Sequence, residues 1–169
     1  MEVVSDIINN YRVSKSIPFQ LQFIQREIMR HIPAIKSVMT PFPYSVDINE
    51  SIQYAEEFLQ QHELGHLPVT NNKELAGVIS HRDIRVFLLQ HNNDKKKKVC
   101  DIPMGHKYVV DLNDRLDLVL DKMAAKHLDS ALVTRQGKLV GIFTLSDVCR
   151  SFARYLTEQF GPPHGDEAA

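Results

Sequence analysis

The sequence predicts a mixed α/β (α+β) fold: two tandem β-α-β-β-α repeats packed sheet to sheet in a pseudo-twofold pair, behind an N-terminal helical extension. Three observations carry this. The chain repeats itself at a constant offset of 64 residues, without a gap. Val46-Asp47-Ile48-Asn49-Glu50 aligns with Val110-Asp111-Leu112-Asn113-Asp114, and Leu67-Pro68-Val69-Thr70 with Ala131-Leu132-Val133-Thr134. Leu75-Ala76-Gly77-Val78-Ile79-Ser80-His81-Arg82-Asp83 aligns with Leu139-Val140-Gly141-Ile142-Phe143-Thr144-Leu145-Ser146-Asp147. Within each copy the pattern passes from helical spacing to two short apolar runs and back to a helix. Finally, one cassette has too little core to stand alone, whereas sheet against sheet buries both apolar faces.

The elements follow in order. Residues 1–35 carry Leu21, Ile24, Ile28 and Ile32 at roughly helical spacing between Pro18 and Pro33. This extension reads either as a helix packed on the module or as an oligomerisation arm. Repeat 1 spans 36–92 and repeat 2 spans 99–158, with a linker at 93–98 and a frayed tail at 159–169. Asn49 and Asn113 are expected as N-caps, each followed by an acid that suits the helix dipole. Ile52, Ala55, Phe58 and Leu59 then recur at helical spacing, as do Leu116, Val119, Leu120 and Met123. The helices stop near Gly65 and Asp129. Apolar runs at 67–70 and 75–79, and at 131–134 and 139–143, read as hairpins turning at Asn71-Asn72 and Gln136-Gly137. Second helices start at Ser80, carrying Ile84, Phe87 and Leu88, and at Thr144, carrying Val148, Ser151, Phe152 and Tyr155.

Composition narrows the function classes. An apolar fraction of 43% with a net charge of −1 describes a globular chain rather than a disordered one. The near-neutral balance argues against non-specific nucleic-acid binding, which needs a basic surplus. Lys95 to Lys98 are the one strong charge run, read as a solvated linker ahead of a polyanion patch. Cys100 and Cys149 are far apart and make neither a metal pair nor a disulfide framework, so a reducing compartment is the default. Glu2 and Asp6 stand where a signal peptide wants lysine, and no stretch is long enough to span a bilayer. A cytoplasmic protein is expected.

Ser80-x-x-Asp83 and Thr144-x-x-Asp147 each fall where a strand ends and a helix begins. The plainest reading is a capping box, hydroxyl and acid satisfying free helix N–H groups. The same geometry suits a nucleotide: helix N–H donors and the hydroxyl address a phosphate, and the aspartate accepts from two ribose hydroxyls. Gly77 and Gly141, just upstream, allow close approach of a ligand or a neighbouring strand.

With the entry segment Val38-Met39-Thr40-Pro41, with Leu67-Pro68-Val69 and with both G-h-h-[ST]-x-x-D stretches, residues 36–157 resemble a CBS-domain pair, or Bateman module. The resemblance implies a non-enzymatic regulatory sensor of an adenosyl ligand in clefts between the copies. AMP or ATP leads, with or without Mg, ahead of ADP, S-adenosylmethionine and NAD. It further implies a homodimer and an effector protein acting in trans. One site would join Thr40, Ser45 and Val46, with backbone near His66 and Leu67, to Thr144 and Asp147, with adenine against Val46 and Leu67, ribose on Asp147 and phosphate near Thr144. The other would join Val109, Ser130 and Ala131 to Ser80 and Asp83, with His81, Arg82 and Lys107 near its phosphates. The second entry reads Ile102-Pro103-Met104 and lacks the threonine, so the Thr40, Thr144 and Asp147 site is expected to be the better formed. A self-association scaffold with vestigial clefts is the alternative.

His62-Glu63-Leu64-Gly65-His66 spells H-E-x-x-H, a zinc hydrolase signature that requires both histidines on one helical face. Gly65 and Pro68 mark the helix ending there, and no third ligand is evident. The G-x-S-x-G elbow, the Walker loop and a nucleophilic cysteine signature are all missing.

Overall fold

A computed structural model of the chain describes residues 32–105 and 107–161, which from Pro33 onward form one compact unit. The expected helix before Pro33 and the tail past Gly161 lie outside the described residues. The elements are β1 (Thr40–Pro41), β2 (Val46–Asp47), α1 (Ile52–Gln61), β3 (His66–Asn71), β4 (Glu74–Ser80) and α2 (His81–Gln90). Then come β5 (Val109–Asp111), α3 (Leu116–Lys126), β6 (Ser130–Arg135), β7 (Lys138–Thr144) and α4 (Leu145–Phe160). Short 3-10 turns at Ile35–Ser37 and Val99–Asp101 open the two copies. None of the described helices is long and apolar enough to cross a membrane.

The 64-residue offset holds down to single pairs. His66 faces Ser80 as Ser130 faces Thr144, and both hairpins shift register after the same position, Val69 and Val133. At each bulge the threonine hydroxyl donates across to the preceding strand, Thr70 to the Val46 carbonyl and Thr134 to that of Val110. Both hairpins turn on two residues with positive φ, Asn72 and Lys73 at 50° and 70°, Gln136 and Gly137 at 51° and 77°. That pairing matches the strand twist. The first turn therefore lies one residue later than the sequence suggested.

Each copy buries its own core. Val46, Ile52, Ala55, Leu59, Leu67, Val69, Ile79, Ile84, Phe87 and Leu88 pack in the first. Val110, Val119, Met123, Ala131, Val133 and Phe143 pack in the second. The amphipathic spacing of the helices predicts these faces, with one exception. Phe152 and Tyr155 of α4, expected to pack inward, are exposed, and the one fully buried residue of that helix is Asp147.

The two copies exchange their entry segments. Ile35, Val38 and Met39 belong to the second core, whereas Val99, Ile102 and Met104 belong to the first. Backbone bonds fix the exchange symmetrically. The Ile35 amide donates to the Asp114 carbonyl and that of Leu116 to Pro33; the Val99 amide donates to Glu50 and that of Ile52 to Lys97. Residues 93–98 are thus not a free linker, since Lys97 and Lys98 strap the start of α1.

This strap also moves the helix starts. Asn49 and Asn113 do not cap. Their amides donate to Asp47 and Asp111 side chains in turns two residues upstream, and α1 is capped by Ser51 Oγ, which accepts from the Tyr54 amide. Finally, β1 crosses over. Thr40 and Pro41 pair antiparallel with Ile142 and Gly141, giving a four-stranded sheet β1-β7-β6-β5 beside the three-stranded β2-β3-β4.

Candidate functional site

Both S/T-x-x-D stretches are complete capping boxes. Ser80 and Thr144 sit in extended conformation at the ends of β4 and β7, and each helix begins at the next residue. The Asp83 carboxylate accepts on Oδ2 from the Ser80 amide at 2.8 Å and its hydroxyl at 2.7 Å. Asp147 Oδ2 accepts from the Thr144 amide at 2.9 Å and its hydroxyl at 2.8 Å. The hydroxyl protons are therefore already committed, and neither is free to donate to a phosphate as the sequence suggested.

The second carboxylate oxygen separates the copies. Asp83 is exposed, and its Oδ1 has no hydrogen-bond partner among the described residues. Asp83 lines a cleft of about 760 Å³ between the copies. Copy one contributes His66, Arg82, Phe87 and Val86; copy two contributes Ile102, Tyr108 and Asp129. Such a volume suits a small organic ligand. His66 is held neutral: burial pushes its pKa below 6.5, although Asp129 and Asp83 pull the other way. Burial and the charge of Asp114 likewise push the Tyr108 phenol up.

Asp147 is only 5% exposed. Its Oδ1 accepts from Thr40 Oγ1 at 3.3 Å and from the Arg150 guanidinium at 2.8 Å. All of its acceptor directions toward the entry segment are thus engaged by the protein itself. The sequence had favoured this site, and the structure does bring Thr40, Thr144 and Asp147 together. It does so as a hydrogen-bonded network around the buried Asp147, reached by the exposed Thr40 and Arg150, and a cleft lies at Ser80 and Asp83.

The other expected residues divide by burial and partner. Val46 is almost fully buried, and Leu67 and Ala131 are fully so; their side chains fill the cores. His66, expected with Thr144, lines the Asp83 cleft, as does Ser130. His66 starts β3 and Ser130 starts β6, so the two are pseudo-symmetry mates. Arg82 lines the cleft, but His81 and the exposed Val109 do not. Lys107 donates to the Leu75 carbonyl at 2.8 Å instead of reaching the cleft. Ser45 lies exposed just before β2.

Sequence reasoning missed Arg150, Tyr108, His127 and Asp129. The D-x-x-R spacing, which puts Arg150 one turn beyond Asp147, was the available signal for the first. It also missed what meets the two glycines. Met39 Sδ lies where a Cβ of residue 141 would stand, and Met104 Sδ lies 2.7 Å from where one of residue 77 would. Each glycine thus admits a methionine from the other copy's entry segment.

The H-E-x-x-H string breaks at its centre. His62 ends α1, Glu63 has a left-handed φ of 52°, and His66 belongs to β3. The His62 ring packs instead in an aromatic group with Tyr44 and Phe58. Among the described residues no cluster of three His, Cys, Asp or Glu side chains could hold a metal ion.

Comparison with known proteins agrees with this architecture. The CBS domain family matches residues 35–90 and 99–154. A CBS domain-containing protein of Bacillus subtilis, YhcV, is 27% identical over 115 residues, covering 68% of this chain and 82% of that one. The crystal structure of an uncharacterised conserved protein from Pyrococcus horikoshii superposes with a TM-score of 0.66 at 29% identity, covering 72% of this chain and 92% of the other. The CBS domain pair of protein MJ0100, in complex with 5′-methylthioadenosine and S-adenosyl-L-methionine, gives a TM-score of 0.66 at 26% identity, covering 74% and 99%. With two tandem matches that fall on its two structural repeats, the chain belongs to the CBS domain family.

Proposed function

We propose that this chain is a non-enzymatic regulatory module that senses an adenosyl ligand in the cleft between its copies and passes the signal on by a change in packing. The observation that carries this is the Asp83 carboxylate: one oxygen is held by the capping box, the other has no partner among the described residues, and the residue lines a ligand-sized cleft. A vicinal diol offers two donors to that unpartnered oxygen, which has two lone pairs. The apolar walls at Val78, Phe87, Ile102 and Leu128 accept a base, and Arg82 is the cation within reach of a phosphate or carboxylate. The bound nucleosides of the MJ0100 domain pair support an adenosyl ligand, without choosing among AMP, ADP, ATP, S-adenosylmethionine and NAD.

Binding shifts the module only if the ligand prefers one arrangement of the copies, and the cleft draws its walls from both. An effector in trans would read that shift. Thermal unfolding of wild type and Asp83→Ala across these five ligands and 5′-methylthioadenosine tests the reading. A ligand at a hundred times its Kd raises stability by about 2.7 kcal/mol, or roughly 5–10 °C for a chain of this size. Silence from all six would sink it.

A second reading, self-association, rests on α4. Leu145, Phe152, Leu156 and Phe160 recur at helical spacing and all lie exposed, Phe160 at 70%. A surface helix rarely leaves such a stripe uncovered. Sedimentation of the ligand-free chain tests it: a monomer at all concentrations excludes it.

A further inference from the structure

The two clefts are built alike and finished differently, at two positions. Thr40 corresponds by offset to Met104, yet Met104 meets Gly77 as Met39 meets Gly141, so Gly105 takes the place of Thr40, and Arg150 corresponds to Val86. Thr40 donates to Asp147, whereas Gly105, which lines the Asp83 cleft, has no side chain to offer. Met104 turns its sulfur onto Gly77. Val86 lines the Asp83 cleft with a hydrocarbon, whereas Arg150 donates to Asp147. The divergence therefore falls on the two groups that meet Oδ1 of the aspartate.

We propose that Thr40 and Arg150 act as an internal occupant of the Asp147 cleft, leaving Asp83 as the single working carboxylate of the module. This rests on the ligand-sensing reading and adds which cleft binds and what closes the other. Thr40 is not a loose side chain. Its backbone pairs with Ile142, and the Phe42 amide donates to the Val140 carbonyl at 2.9 Å, so the hydroxyl is delivered to Asp147 by a strand. Gly105, at the place of Thr40, lies in no strand. Arg150 completes the closure with a charge-assisted bond from the same helix. A diol arriving at Asp147 must displace both donors from a carboxylate that is already satisfied; at Asp83 it displaces only water.

Titration calorimetry of the whole chain with AMP and with S-adenosylmethionine as probes tests this. Wild type is expected to bind one equivalent of the probe it accepts, and Asp83→Ala to bind none. Thr40→Val with Arg150→Ala is expected to bind two, and adding Asp83→Ala to that pair returns it to one. Circular dichroism melting checks that each variant is folded. Arg150→Ala alone, changing a side chain that is 65% exposed, provides a second route and should already reveal weaker binding at the new site. Two equivalents on wild type, unchanged binding by Asp83→Ala, or no gain in a folded Thr40→Val, Arg150→Ala protein would each overturn the inference while leaving ligand sensing intact. No heat from any variant with either probe overturns both.

Discussion

Removing the two aspartates separately should expose opposite roles. In Asp147→Ala the Thr144 amide, partly buried at the start of α4, loses its acceptor and finds little water. An unsatisfied buried donor costs about 1–3 kcal/mol, and losing an acid from the first helical turn adds about 0.3–1. The two threonine hydroxyls can rotate to other acceptors. Arg150 is mostly in solvent already, so its ion pair contributes little. Together these come to about 1–4 kcal/mol, with the middle of the range at about 2.5. In Asp83→Ala the same box is lost at an exposed site where water replaces the carboxylate, a cap-sized loss of about 1 kcal/mol. Urea unfolding followed by circular dichroism suits a chain with no tryptophan. With a slope of about 2 kcal/mol/M, the midpoints of the two variants should differ by roughly 0.5–1 M, Asp147→Ala being the lower. Equal shifts, or a larger one for Asp83→Ala, would refute the view that one aspartate is structural and the other open.

Further outcomes are expected. Gly141→Ala and Gly77→Ala drive a Cβ into Met39 and Met104; each should lose about 1–3 kcal/mol, and Met104→Ala should restore part of the loss in Gly77→Ala. His66 resists protonation in the fold, so the unfolded chain binds the proton more readily below the ordinary value of 6.5. Thermal stability should therefore be full above about pH 7 and decline as pH falls through that range, with a shallower decline in His66→Gln. Phe152→Asp should abolish any self-association seen by sedimentation without lowering the melting midpoint, because its ring touches solvent rather than core. Lys107→Met should leave the ligand-induced shift unchanged, since that amine is bonded to Leu75 and not to the cleft.

The repeat was legible because side-chain period and turn chemistry are local. An alternation of Leu67, Val69 and Ile79 needs no partner to be recognised, and the same holds for the capping boxes. What escaped was long-range. Nothing in Thr40-Pro41 says which sheet a two-residue strand will join, and the pairing with β7 turned a presumed ligand group into a donor to Asp147. Asn49 and Asn113 look like caps because the strap that delays the helices comes from the other copy. The family resemblance alone puts His66 at the Asp147 site. A residue starting the strand at the pseudo-axis borders the other, and only coordinates distinguish them. Met104 departs visibly from its mate by offset; the departure of Val86 from Arg150 is less legible, being one turn past the motif.

The reciprocal straps have a consequence for how such a chain can vary. Lending each half its neighbour's opening segment is the arrangement of an exchanged dimer drawn into one polypeptide. In a dimer of identical chains every substitution enters both clefts at once, so they can only open or close together. Joined in one chain, the halves mutate independently. One can then surrender its cleft to rigidity while the other keeps a vacancy for the signal, and neither half can be cut away without unroofing its sibling.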